Sequence, residues 1–310
     1  PSVDSVSISP NTAVLSDTEL ICLATVSDPD GESLSASYEW FVSGTSIGSS
    51  AVLQLSNGLV APNDSVECVA TVNDGFGDSN SAAASVSVDN SAPVFAASSL
   101  SPASPARTET ITCSASASDI DGGTPSLSFT FSNQSTGATY TTTSSTVDSA
   151  TLDLSTTSIQ PSEIVVCEII VSDLDGGNSS TTETATIINT APIFVSEASI
   201  SPNSSVYTGT DLTCSASATD PDDGSITPTY EWISPNGVVA TGSSYTVSAN
   251  DVAVGDTLSC TATAIDSDNE SNISTASVVV ENTAPLVGNV NISPGAAVYN
   301  DTVLTCSAMV

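Results

Sequence analysis

The chain has 310 residues, of which 35 are acidic and one is basic (Arg107), with no lysine and no histidine, so its formal net charge is −34. That balance argues against nucleic acid and anionic membranes as partners, and it removes Ser–His and Ser–Lys nucleophile pairs, histidine metal sites and lysine Schiff bases or isopeptide bonds. Only 12% of residues are charged and 39% are hydrophobic, which fits folded domains with a Ser/Thr/Asn/Gly surface rather than a disordered polyelectrolyte.

One frame recurs along the chain. An Ile/Leu-Ser-Pro is followed by L-x-C-x-A or its near equivalent, an Asp-x-Asp turn, an aromatic-x-aromatic pair, a second Cys, another acidic turn and Asn-[Ser/Thr]-Ala-Pro. The copies begin at Pro1, Pro93, Pro192 and Pro285, giving periods of 92, 99 and 93 residues. Such periods are too long for a solenoid unit and suit a small independent domain. The expected organisation is repeat 1 over 1–92, repeat 2 over 93–191, repeat 3 over 192–284 and the start of a fourth over 285–310. No apolar run approaches the roughly 18–20 residues that span a bilayer. With no signal peptide and a single Met, Met309, the chain reads as a processed or excised window on a longer protein.

Within repeat 1, Leu20, Cys22, Ala24 and Val26 alternate with Glu19, Ile21, Leu23 and Thr25; the second cysteine sits in Val66, Cys68, Ala70, Val72. Repeats 2 and 3 repeat both patterns around Cys113, Cys167, Cys214 and Cys260. Period two with a polar outer face predicts half-buried strands. Pairing within each repeat gives Cys22 with Cys68, Cys113 with Cys167 and Cys214 with Cys260, while Cys306 stands where a fourth pair would begin. A paired framework implies an oxidising, extracellular compartment. Loops of 46 and 54 residues make each bridge worth about 4 kcal/mol in the chain-entropy model. Eighteen residues after the first Cys come Trp40, Phe131 and Trp232, with Tyr38, Phe129 and Tyr230 two places earlier. Cys, then aromatic, then Cys, among about seven short strands, predicts an all-β fold of tandem immunoglobulin-like β-sandwich domains, each with one disulfide, arranged as an extended rod. The tyrosine expected two residues before the second Cys is replaced by Val66, Val165 and Leu258. Asn236-Gly237 predicts a hairpin turn, and no helical period is present.

Together these strings resemble the tandem immunoglobulin-like repeats of large bacterial and archaeal surface proteins, often described as cadherin-like or PKD-like. The resemblance covers the whole chain, with repeat 2 departing through Phe131 and its longer loop. It implies extracellular stalks, adhesins or fibre subunits.

The strand of the first Cys ends in Asp28-Pro29-Asp30, Asp119-Ile120-Asp121 and Asp220-Pro221-Asp222; that of the second ends in Asp74 to Asp78, Asp173-Leu174-Asp175 and Asp266-Ser267-Asp268. In a sandwich of this type these are the B–C and F–G loops, at the end where the linker enters. Four carboxylates per domain therefore converge near Asp89-Asn90 or Asn189. This resembles the interdomain sites of cadherins, which implies structural Ca²⁺ shared between loops and linker. Asp, Asn, Gly and Pro are also good turn formers, so the same loops read equally as turns. The upper domain contributes no clear acidic motif beyond Asp64, Glu163 and Asp256.

Sequons for N-glycosylation fall at Asn63, Asn133, Asn178, Asn203, Asn269, Asn272, Asn291 and Asn300, and Thr141 to Thr146 could carry O-glycans or form a polar strand. Paired carboxylates could serve catalysis, but their recurrence in every repeat suits a structural ion better than an active site. The expectation is a non-enzymatic extracellular or cell-surface fibre or stalk segment. Its partners are further repeats or other copies of the chain, with no nucleic acid and no direct membrane contact. The alternative is an adhesin binding a glycan or surface protein through Tyr140, Tyr207, Tyr245 and Tyr299; an accessory region of a secreted enzyme is a weaker third.

Overall fold

A computed structural model describes residues 1–142 and 144–310; Thr143, in the polar run considered for O-glycans, lies outside them. The chain forms two compact units, Pro1–Ile188 and Asn189–Val310, divided immediately before the linker residue Asn189.

The first unit contains two sandwiches. In repeat 1 the strands are β1 (Ser2–Ser9), β2 (Glu19–Ser27), β3 (Ser37–Val42), β4 (Thr45–Gly48), β5 (Val52–Gln54), β6 (Ser65–Asn73) and β7 (Ser79–Ser87). They form the sheets β1-β2-β5 and β4-β3-β6-β7. Repeat 2 comprises β8 (Val94–Ser101), β9 (Thr110–Ser118), β10 (Ser126–Asn133), β11 (Thr139–Tyr140), β12 (Ser144–Ser145), β13 (Ser149–Asp153), β14 (Ile164–Ser172) and β15 (Asn178–Thr186). Its sheets are β12-β13-β9-β8 and β11-β10-β14-β15.

The second unit repeats the plan with β16 (Ile193–Ser201), β17 (Asp211–Asp220), β18 (Gly224–Ile226), β19 (Thr229–Ser234), β20 (Gly237–Thr241), β21 (Ser244–Thr246), β22 (Thr257–Ile265) and β23 (Ser271–Val279). One sheet is β20-β19-β22-β23; in the other β17 pairs with β16, β18 and β21. A last hairpin joins β24 (Val290–Ser293) to β25 (Thr305–Ala308). Two antiparallel sheets face to face, with the second, third and later strands crossing between them in this order, are immunoglobulin-like sandwiches.

Period two is the cause of each half-buried strand. In β2, Leu20 and Cys22 are fully buried, while their neighbours Ile21 and Leu23 face outward. Each core is centred on one aromatic and one cystine. Trp40, Phe131 and Trp232 are fully buried and pair directly across from Cys68, Cys167 and Cys260. Cys22–Cys68, Cys113–Cys167 and Cys214–Cys260 are bonded, and each bridge ties one sheet to the other; Cys306 is free and exposed. The indole N–H of Trp40 donates to the Ser50 carbonyl at 2.7 Å and that of Trp232 to Gly242 at 3.0 Å, so neither buried donor is stranded. Tyr38 and Tyr230 accept from the Ala24 and Ala216 N–H groups of the facing sheet, which ties the aromatic-x-aromatic strand across the sandwich.

Three details differ from the sequence expectations. Leu154–Thr156 form one turn of 3₁₀ helix, too short to leave a periodic signal. The hairpin predicted at Asn236-Gly237 turns on Pro235 and Asn236, and Gly237 opens β20 with φ +118°. Tyr140 and Tyr245, read as exposed, pack on the cores of repeats 2 and 3; Tyr245 lies 5.7 Å from Trp232 and donates to Asp251.

Candidate cation sites at the domain caps

Each acidic loop is first a turn. The leading Asp of each loop turns its side chain back onto the N–H groups that follow. Asp119 accepts from Asp121 at 2.8 Å, and Asp220 accepts from Asp222 at 2.6 Å and Asp223 at 2.9 Å. In the F–G loops Asp173 accepts from Asp175 and Gly177, both at 2.8 Å; Asp266 accepts from Asp268 at 2.9 Å and Glu270 at 2.8 Å. This uses one carboxylate oxygen of each, and in Asp173 and Asp266 leaves the other for the linker.

The linker is seated in the same way twice, by the leading Asp of the F–G loop and the second Asp of the B–C loop. In repeat 2 the Asn90 amide donates to Asp173 Oδ2 at 3.1 Å and the Ser91 N–H to Asp121 Oδ2 at 2.6 Å. In repeat 3 the Asn189 amide donates to Asp266 Oδ2 at 2.9 Å; the Thr190 N–H and hydroxyl donate to Asp222 Oδ2 at 2.9 and 2.6 Å. The next strand holds the linker prolines, with Ser179 donating to the Pro93 carbonyl at 2.7 Å and Asn272 to that of Pro192 at 3.3 Å. Ser16 of repeat 1, 1% exposed, donates its hydroxyl to Asp121 Oδ1.

What remains is a matched pair of oxygens. Asn90 Oδ1 and Asp119 Oδ2 are buried without a hydrogen-bond donor, and so are Asn189 Oδ1 and Asp220 Oδ2. Asp220 is 3% exposed. Buried acceptors without a donor are rare and costly, and a carboxylate more so than an amide. Asn90, Asp119, Asp121, Asp173 and Asp175 line one cleft of about 220 Å³, closed from the repeat 1 side by Ala61 and Pro62. Carboxylate and amide oxygens around such a space are the donor set of a hard divalent cation, and a bound ion would satisfy the stranded oxygens. Gly177 belongs to this cap: a Cβ there would sit 2.7 Å from the Asn90 amide nitrogen and 2.9 Å from Ala92 Cα.

In repeat 1 the corresponding loops carry Asp28 and Asp74. The Pro1 ammonium lies 3.1 Å from Asp28 Oδ2. Its pKa is raised by the Asp28 bond, against burial, with the charges of Asp28, Asp74 and Asp78 helping. The Asp30 N–H, and then the ammonium, hold the Asp28 carboxyl below its ordinary value; the Phe76 N–H does so for Asp74. Asp28, Asp30 and Glu32 bring carboxylate oxygens within 4.8 Å of one another. Burial pushes Asp173 up, but the Asn90 amide and the Gly177 and Asp175 N–H groups outweigh it and its pKa is lowered.

Of the residues read as ligands, Asp89 stays outside: its side chain is exposed and its N–H donates to the Val14 carbonyl. Asp30, Asp78 and Asp268 are exposed on their loops. Ser16, Glu32, Ser91, Gly177 and Thr190 lie outside the residues that the sequence points to, and Asp223 belongs to its acidic loop without being among the expected ligands. Ser91 and Thr190 could have been included, since both follow the linker Asn in Asn-[Ser/Thr]-Ala-Pro. Among the sequons, Asn133 is 3% exposed. Its amide donates to Glu163 and its oxygen accepts from Ser135 and Thr136, so a glycan would have to attach at a buried nitrogen already bonded to Glu163. Asn272 spends its amide on the linker, while Asn63, Asn178, Asn203, Asn269, Asn291 and Asn300 are exposed.

No protein-family model matches this chain, and no curated protein does. Solved structures of similar fold include immunoglobulin domains 1–5 of Sidekick-1, at TM-score 0.33 and 18% identity over 91% of this chain. The present chain spans 60% of that one. A Ca²⁺-stabilized adhesin by which an Antarctic bacterium reaches out and binds ice gives TM-score 0.37 and 16% identity, over 94% of this chain and 77% of that one. A tetra-tandem repeat from the extending region of a large adhesion protein gives 0.35 and 19%, over 90% and 74%. The likeness is one of fold and no more.

Proposed function

We propose that the chain is a structural, non-enzymatic segment of an extracellular fibre or stalk, built from sandwiches over 1–92, 93–191 and 192–284 with a further repeat beginning at 285–310, whose linkers are stiffened by Ca²⁺ in the acidic caps. The observation that carries this reading is the recurrence, at two successive linkers, of one buried linker Asn oxygen and one buried Asp oxygen without a donor. Asn90, Asp119, Asp121 and Asp173 would hold the ion in one cap, and Asn189, Asp220, Asp222 and Asp266 in the next. The ion supplies positive charge among carboxylates that otherwise repel. No nucleophile–base pair accompanies these groups, and the aromatic side chains that a sugar- or protein-binding face would present are spent largely on the cores; Phe76 and Tyr299 are the prominent exposed ones. Further repeats or other copies of the chain are the natural partners.

Thermal unfolding of the full chain in CaCl₂ and in EDTA tests the cation. A ligand at a hundred times its Kd adds about 2.7 kcal/mol to the folded state, so the melting temperature should rise by several degrees with Ca²⁺. Identical curves in both solutions would overturn the cation reading and leave the caps as turns.

A further inference from the structure

The caps of repeats 2 and 3 are built on the same linker bonds, but they are not equally prepared. In repeat 3 the B–C loop is a hairpin. β18 folds back on β17 with Ala218 opposite Ile226, Thr219 opposite Ser225 and Asp220 opposite Gly224, so the leading Asp stands in a ladder. The Thr219 hydroxyl adds a bond to the Gly224 carbonyl at 3.0 Å. That hairpin is tied to the facing loop by Asp223, whose Oδ2 accepts the Ser267 N–H at 2.7 Å and whose Oδ1 accepts the Ser267 hydroxyl at 3.0 Å. These two bonds hold the Asp223 carboxyl below its ordinary value. Repeat 2 has Gly122 at the position of Asp223, with φ +92°, and therefore no side chain to make that tie. The B–C loop of repeat 2 contains no strand pairing of its own.

We infer that repeat 3 carries the tighter of the two cation sites, and that Asp223 is the positioning residue that makes it so. The inference rests on the proposed reading of the caps as cation sites. Its physical basis is preorganisation. An ion entering cap 3 finds Asp220 and Asp266 each 7% exposed or less, already locked by their turns, and the two loops joined. Less ordering is left to be done on binding, and rigidity of the site is one of the terms that sets calcium affinity. Both oxygens of Asp223 are taken up by Ser267, so it acts through loop position rather than as a ligand.

The test is calorimetric titration of the chelator-stripped full chain with CaCl₂. Two binding events should separate by about tenfold in Kd, since site rigidity is one of the terms that tunes calcium affinity. Asp220→Asn, which keeps the turn acceptor, should remove the tighter event, and Asp119→Asn the weaker one. Asp223→Ala should close the gap to within about threefold, while Asp223→Asn, which still offers an acceptor to the Ser267 N–H, should preserve most of it. Equal affinities in the parent chain, or loss of the weaker event in Asp220→Asn, would overturn the inference while leaving the cation reading standing. Equal losses in Asp223→Ala and Asp223→Asn would assign the effect to charge and overturn the positioning role. A lower melting temperature in EDTA for Asp223→Ala, with the affinity gap unchanged, would make the residue merely structural and also overturn it. Absence of any binding would overturn the cation reading itself.

Discussion

Caps 2 and 3 both present a linker Asn, a hydroxyl residue after it (Ser91 or Thr190) and two leading aspartates, yet different neighbours hold them. Cap 2 is braced by the preceding sandwich: Ser16 bonds Asp121, Ala61 and Pro62 close the cleft, and a Cβ at Gly122 would sit 3.4 Å from the Asn57 side chain. Cap 3 is braced by its own loops, through the β17–β18 hairpin and the Asp223–Ser267 bonds. The motif thus fixes which oxygens meet, and the neighbours fix how firmly. Small residues in one cap and a further carboxylate in the other are two answers to one problem, holding like charges close.

The largest effect should be blind to this difference. Replacing Cys113 and Cys167, or Cys214 and Cys260, by Ala should cost about 4 kcal/mol in either repeat, read from urea unfolding of each pair variant. A loss confined to one repeat would mean that the caps, not the cores, govern stability.

Gly177→Ala should separate the caps. The added methyl would collide with the Asn90 amide and the Ala92 backbone, displacing the linker bond to Asp173, for a loss of about 1–3 kcal/mol. Glu270 stands at the matching position of repeat 3, so Glu270→Ala should change stability by less than about 0.5 kcal/mol. Comparable losses would mean that the two linkers approach their loops alike.

Ser16→Ala removes a buried donor to Asp121, for a loss of about 1 kcal/mol in unfolding experiments. It should also weaken cation binding at cap 2 alone. An equal effect on both calorimetric events would remove Ser16 from the brace.

The smallest effect is on acid stability. Asp28, Asp74, Asp173 and Asp223 are all held below the ordinary carboxylate value. A depressed folded pKa stabilises at pH above the unfolded value, and that contribution is lost as pH falls through the folded value, so melting temperatures should drop below about pH 4. Asp223→Asn should blunt this drop for repeat 3 and leave repeats 1 and 2 unchanged. A parent chain with a flat profile down to pH 2 would contradict the bonding drawn here.

Much of this molecule is local in origin, and so could be read from the chain alone. Alternation around Cys22 or Cys260 makes a strand wherever it occurs, and one Cys per facing sheet, with an aromatic opposite the second, specifies a stapled sandwich. The Asp-x-Asp turns are local too, each closing on an N–H two residues later. Whether a given oxygen is left without a donor is not local. Asn90 meets Asp173 across 83 positions and Ser16 meets Asp121 across 105, and no pattern within a loop reports either. The same holds for Asp89, which shares the linker yet turns outward, for Asn133, a sequon closed by Glu163, and for Tyr245, claimed by Trp232. The strands and the acidic turns were legible in the chain because they follow from near-neighbour geometry, and the bridges because two cysteines recur in each repeat. Tertiary structure alone decided which carboxylates face the linker, which oxygens are buried without a partner and how firmly each cap is held, because those depend on packing between segments far apart in the chain.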